Sequence, residues 1–116
     1  MFEKKIEVGY KRAKAGIEQK TLVYGEKTLM VEFRLHQGAS LPLHAHPHEQ
    51  TGYLVSGRIL LTIGEVTHEV LPGDSWCIGG GVRHGAEILE DSVALEVFAP
   101  VRKEYLPAMQ DEMVEF

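Results

Sequence analysis

The sequence predicts an all-β fold. Short extended segments follow one another closely, Gly or Pro marks most of the breaks, and no stretch keeps a helical period. Many short strands in so small a chain close into a sandwich or barrel. The clearest of them runs from Thr28 to His36, with Leu29, Val31, Phe33 and Leu35 on one face and Met30, Glu32, Arg34 and His36 on the other. Strict alternation of this kind is the mark of a half-buried strand, because successive side chains point to opposite faces.

In chain order, residues 1 to 20 are mixed and charged and read as an irregular arm or a short edge strand. Thr21 to Tyr24 is a small strand ended by Gly25, and Thr28 to His36 is stopped by Gln37-Gly38. Gln50 to Val55 and Arg58 to Ile63 are strands rich in apolar and β-branched residues, with Ser56-Gly57 read as a turn between them. Gly64-Glu65 turns the chain into Val66 to Leu71, and Pro72-Gly73-Asp74 turns it again into Ser75 to Ile78. Gly79-Gly80-Gly81 is a loop; Ala86 to Leu89 and Ser92 to Ala99 complete the strands, with Glu90-Asp91 between them. A turn or two of helix fits only near Val101 to Tyr105. The tail carries Met109, Met113, Val114 and Phe116 on an acidic background, suited to docking on a partner subunit or to fraying.

The 116 residues suit a single domain, with a core over about 20–100, an N-terminal arm over 1–19 and a C-terminal tail over 107–116. A net charge of −5 argues against nucleic acid as a partner, since phosphate-binding surfaces are basic. Lys4, Lys5, Lys11, Arg12 and Lys14 cluster near the N-terminus and read as a solvated face. The sole cysteine, Cys77, excludes an internal disulfide and, between Trp76 and Ile78, is expected to be a small buried residue. With no apolar leader and no run of membrane-spanning length, the expectation is a cytoplasmic protein with no membrane partner.

The chemistry concentrates between Gly38 and Gly57. His44 and His46 are two residues apart, so in an extended chain they share a face and can converge on one point. Imidazole is the commonest protein ligand for transition metals, Gln50 follows four positions on, and His84 lies downstream in a glycine-rich segment. Pro47 holds His46 extended, and His48 beyond it reads as a pocket-rim residue in contact with substrate. His36 and His68 read as surface histidines, and Tyr53 and Trp76 as packing. Met30 and Arg34 are candidates for the same pocket.

These residues resemble the cupin motifs. Gly38, five residues, His44-Ala45-His46, three residues, Gln50, six residues and Gly57 follow the first. Gly73, five residues, Gly79-Gly80-Gly81, two residues and His84 are similar to the second. The resemblance implies the double-stranded β-helix, or jelly-roll, barrel of that family. It also implies a divalent transition metal (Zn, Ni, Mn, Fe or Co) held by His44, His46, Gln50 and His84, a small-molecule substrate and a homodimer. The family's usual Glu ligand is Gln50 here, its Pro is Gly79 and its last Asn is Ile88. A Gln oxygen brings no negative charge, so a divalent ion keeps its full +2 and is the stronger Lewis acid. That favours isomerisation, hydration or enolisation over oxygen chemistry. Glu49 is a second candidate ligand, but it stands closer to His46 than the motif allows.

Among small cupins, the HPHEQ segment with a Gln ligand is similar to the pectin-degradation (KdgF-type) proteins, which open 4,5-unsaturated uronates to a linear keto form. There an acid, a Phe and an Arg follow the last ligand at relative spacing 0, +2 and +6, matched by Glu96, Phe98 and Arg102, with Glu where the family has Asp. The resemblance implies Glu96 as acid/base, Phe98 as an apolar wall and Arg102 as the bidentate holder of a carboxylated sugar. Against this stands the alternation itself: if Val93, Leu95 and Val97 fill the barrel, Glu96 points to solvent. A dioxygenase-like cupin and a non-catalytic sugar- or anion-binding cupin are the alternatives.

Overall fold

A computed structural model of the chain describes residues 1–107 and is almost entirely β. The described residues form eight strands: β1 (Lys11–Lys14), β2 (Ile17–Tyr24), β3 (Leu29–Leu35), β4 (Ser40–His44), β5 (Glu49–Ile63), β6 (Val66–Val70), β7 (Ser75–Ile78) and β8 (His84–Ala99). One 3-10 turn, Lys103–Tyr105, follows where the sequence allows a helical turn. The apolar tail residues Met109, Met113, Val114 and Phe116 lie outside the described residues.

All pairings are antiparallel, in the order β1-β2-β3-β8-β5-β6, with β4 also on β8 and β7 also on β5. The two long strands hold the architecture together. The first half of β8 pairs with β4 and its second half with β3, while β5 runs beside it almost throughout. The first half of β5 takes β7 and its second half takes β6. Each long strand therefore leaves one sheet and enters the other, which is how a jelly roll wraps a core between two antiparallel layers.

Two expected turns are corrected here. Ser56-Gly57 and Glu90-Asp91 do not reverse the chain; both fall inside continuous strands, β5 and β8. The register slips at Leu54/Ser56, Ser56/Arg58 and Arg58/Ile59, so the pair bends together at bulges. Turn-type residues mark the bend because it needs the same unusual backbone: Gly57 has φ +93°. The Ser92 hydroxyl pins the corner, accepting from Arg58 N–H at 3.0 Å and donating to the Glu90 carbonyl at 2.7 Å. A Cβ on Gly57 would run into Ser92 Oγ and Asp91 O. Gly57→Ala is therefore expected to destabilise the fold by about 3 kcal/mol, from left-handed strain plus overpacking, measured as a shift in the urea midpoint.

β3 has the predicted faces: Leu29, Val31 and Leu35 are buried. The sheet also begins before Thr21, because β1 and the start of β2 lie in the charged segment, and Ile17 there is 1% exposed. Charged residues on the outward face mask the alternation. β4 was missed because Pro42 interrupts it; an edge strand tolerates that. Cys77 is exposed rather than buried, since Trp76 and Ile78 take the inward positions of β7 and leave it the outer face. Tyr53, on the outer face of β5, is 47% exposed instead of packed. Met30 and Arg34 also face outward, away from the barrel cavity. Arg34 stacks over the Tyr10 ring at 3.7 Å and pairs with Glu7 at 2.9 Å, while Tyr10 bonds Glu32, which ties the N-terminal arm to β3.

Candidate metal centre

Two strands and two loops bring His44, His46 and His84 together at one end of the barrel. His44 closes β4 and is the cross-strand partner of His84, the first residue of β8. His46 lies two residues beyond β4, and its carbonyl accepts the Gly81 N–H at 2.8 Å, so the glycine loop clamps the histidine segment. Ring centroids are 4.3 Å apart for His44 and His84, 4.9 Å for His46 and His84, and 5.8 Å for His44 and His46. One ligand atom from each lies within 4.8 Å of the other two, a group that could hold a metal ion.

The same device sets all three rings. His44 Nδ1 faces the Pro42 carbonyl at 2.9 Å, His46 Nδ1 the His48 carbonyl at 3.0 Å, and His84 Nδ1 the Val82 carbonyl at 2.9 Å. A carbonyl only accepts, so each Nδ1 carries the hydrogen and each Nε2 keeps its lone pair free. Burial, with the nearby Arg102 charge and neighbouring histidines, holds His46 and His84 below the ordinary imidazole pKa; His46 is partly pulled back by the Gln50 side chain. Both rings are therefore neutral near pH 7, the state in which imidazole ligates.

Gln50, 5% exposed on β5, stands beside the cluster. Its Nε2 donates to Glu96 Oε2, while its Oε1 is buried without a partner, as is His46 Nε2. Two orphaned acceptors at one place are what a cation would satisfy, so the residues fit a metal.

Glu96 does not point to solvent. Ala94 and Phe98 are buried on the barrel side of β8, Glu96 lines the cavity between them, and Val93, Leu95 and Val97 form the partly exposed outer face. Desolvation by burial raises the Glu96 carboxyl to about 7, against the opposing pull of the Trp76 N–H and the Arg102 charge. Trp76 Nε1 donates to Glu96 Oε1 at 2.9 Å. Arg102 lies over the rings of Phe98 and Tyr105, at 5.0 Å and 4.3 Å, and pairs with Glu104 at 2.8 Å. A cavity of about 230 Å³ joins His44, His46, His84, Gln50, Glu96, Phe98 and Arg102.

His48 does not line this cavity. The backbone bends at Pro47-His48, and the residue serves through its carbonyl, which orients His46. Sequence reasoning missed two contributors. Trp76 was read as packing alone, although its inward position in β7 follows from alternation with Ile78. Tyr105, stacked on Arg102, carried no local signal.

Residues 31–99, more than half of the chain, match the Cupin domain. A comparison with curated proteins finds no significant match. Among solved structures, KdgF from a Halomonas species superposes with a TM-score of 0.86 at 28% identity, over 91% of this chain and 98% of that one. An RmlC-like cupin from Shewanella frigidimarina gives 0.86 at 24%, over 90% and 95%. A predicted oxalate decarboxylase from Thermotoga maritima gives 0.72 at 19%, over 82% and 95%; these last two likenesses carry the fold alone. Fold, motif spacing and domain match agree, and the chain belongs to the cupin family.

Proposed function

We propose that the protein is a metal-dependent isomerase that opens the ring of a small carboxylated sugar such as a 4,5-unsaturated uronate. His44, His46 and His84 through Nε2 and Gln50 through Oε1 would hold a divalent transition ion. When bound, such an ion supplies Lewis acidity toward a carbonyl or hydroxyl oxygen. The observation that carries the reading is Glu96: a buried carboxyl with a pKa of about 7, in the same cavity as the histidine cluster and an Arg-lined wall.

A carboxyl at that pKa accepts and returns a proton with comparable ease near neutrality, as general acid–base catalysis requires. In the reaction the hydroxyl on the hemiacetal carbon gives up its proton, the ring C–O bond breaks to form the aldehyde and free an enolate, and the enolate carbon takes that proton back to give the ketone. No atom is gained or lost overall, so a single proton carrier is sufficient and no co-reactant enters. Arg102, steadied by Phe98 and Tyr105, holds the substrate carboxylate, and Phe98 walls the pocket. The outer apolar residues Val93, Leu95 and Val97, with Tyr53 and Val55 nearly half exposed, are suited to cover by a second copy as a homodimer.

The test is direct assay of purified protein on 4,5-unsaturated uronate before and after chelation. Loss of turnover on chelation and its return with a divalent ion support the proposal; absence of turnover with every ion tried refutes it. In the same assay Arg102→Lys is expected to raise KM about tenfold with kcat changed less, because an ammonium cannot replace the guanidinium fork on a carboxylate.

A further inference from the structure

We infer that Trp76 is a positioning residue, whose indole N–H reaches across the backbone of Gly52 to hold Glu96 in the orientation that turns the Gln50 oxygen toward the histidine cluster. The inference rests on the reading above that Gln50 and the three histidines hold an ion.

The register places Trp76 of β7, Gly52 of β5 and Glu96 of β8 in one row across three strands. A side chain at the middle position would block the way: a Cβ on Gly52 would run into Cε2, Nε1 and Cζ2 of the indole. Without one, the ring lies over the strand and its N–H reaches Glu96 Oε1 at 2.9 Å. The next row is Ile78, Gln50 and Phe98, so Gln50 sits one pleat repeat from Gly52. Its amide N–H takes the second carboxylate oxygen.

An amide has the same shape either way round, so partners alone decide which end points where. Glu96 offers an acceptor and therefore draws the NH2, leaving Oε1 buried without a protein partner. A flipped Gln50 would present hydrogens to the cation. Whatever fixes Glu96 thus fixes the ligand, and Trp76 is the group that fixes Glu96 from the far side. Outer partners of metal ligands typically govern affinity by 10- to 100-fold.

Zn2+ affinity, measured by competition with a chromophoric chelator, tests this. Trp76→Phe keeps a ring and loses the donor; it is expected to weaken Zn2+ about tenfold. The same change in a Gln50→Leu background should have no further effect, a coupling that mere packing would not produce. Because Trp76 is the sole tryptophan, the 15N-labelled wild type gives one indole N–H resonance. Zn2+ should move it in the wild type and leave it in place in Gln50→Leu, a readout that needs no Trp76 variant to fold. Unchanged affinity in Trp76→Phe, or an unmoved resonance, beside a wild type that binds Zn2+, overturns the role of Trp76 alone. A wild type that binds no Zn2+ overturns the metal reading and this inference together.

Discussion

Glu96→Gln is expected to lower kcat about a thousandfold while leaving the barrel folded, within the range for removal of a general acid–base group. The amide keeps the size of the side chain and an oxygen for one of its two donors, Trp76 or Gln50, but cannot move a proton. The same substitution changes how stability depends on pH. In the folded protein the carboxyl titrates at about 7 against an ordinary 4.5, so between these values the folded state binds the proton more tightly than the unfolded chain. Stability associated with Glu96 is thus fully present below about pH 4.5 and declines as pH rises through 7, by about 3 kcal/mol in the metal-free protein. Gln does not ionise. Metal-free Glu96→Gln should therefore lose less in melting temperature than the wild type between pH 5 and pH 8. Steady-state kinetics and melts at the two pH values check both parts, and a variant with near-normal kcat removes Glu96 from the mechanism.

The second large effect is at the histidines. His84→Ala is expected to weaken Zn2+ binding on the order of 10² to 10³-fold, since a four-ligand zinc site worth about 10–16 kcal/mol distributes roughly 3 kcal/mol to each ligand. His84 is the residue to test because it is the most buried of the three, at 5% exposure, and is anchored both by its Nδ1 bond to Val82 and by cross-strand pairing with His44. Turnover should fall with ion occupancy. His68→Ala, on the exposed strand β6, should leave both unchanged.

Which parts of this were readable from the chain follows from how local each signal is. The alternation of Leu29, Val31, Phe33 and Leu35 depends on one strand only, and it predicted the buried face of β3. The spacing of His44 and His46 is local too, and the motif supplied His84. The corner shared by β5 and β8 was misread as two turns because Ser56-Gly57 and Glu90-Asp91 have turn chemistry, whereas a bulged bend and a reversal demand the same residues. The inward placement of Glu96 depends on which face of β8 the barrel closes around. Val93, Leu95 and Val97 gave the opposite answer because their outer face is apolar as well. The contact of Trp76 and Gln50 with Glu96 joins positions 20 and 46 residues apart, so only the cross-strand register reveals it.

Everything in the functional reading depends on a cation between three Nε2 atoms and the Gln50 oxygen. Elemental analysis of the full-length wild type, purified without chelator and dialysed against metal-free buffer, tests this most directly. About one divalent transition ion per chain is expected, matching one three-imidazole site, and its loss in His84→Ala. Wild-type protein that carries no ion, and whose melting temperature is unmoved by added Zn2+, would contradict it.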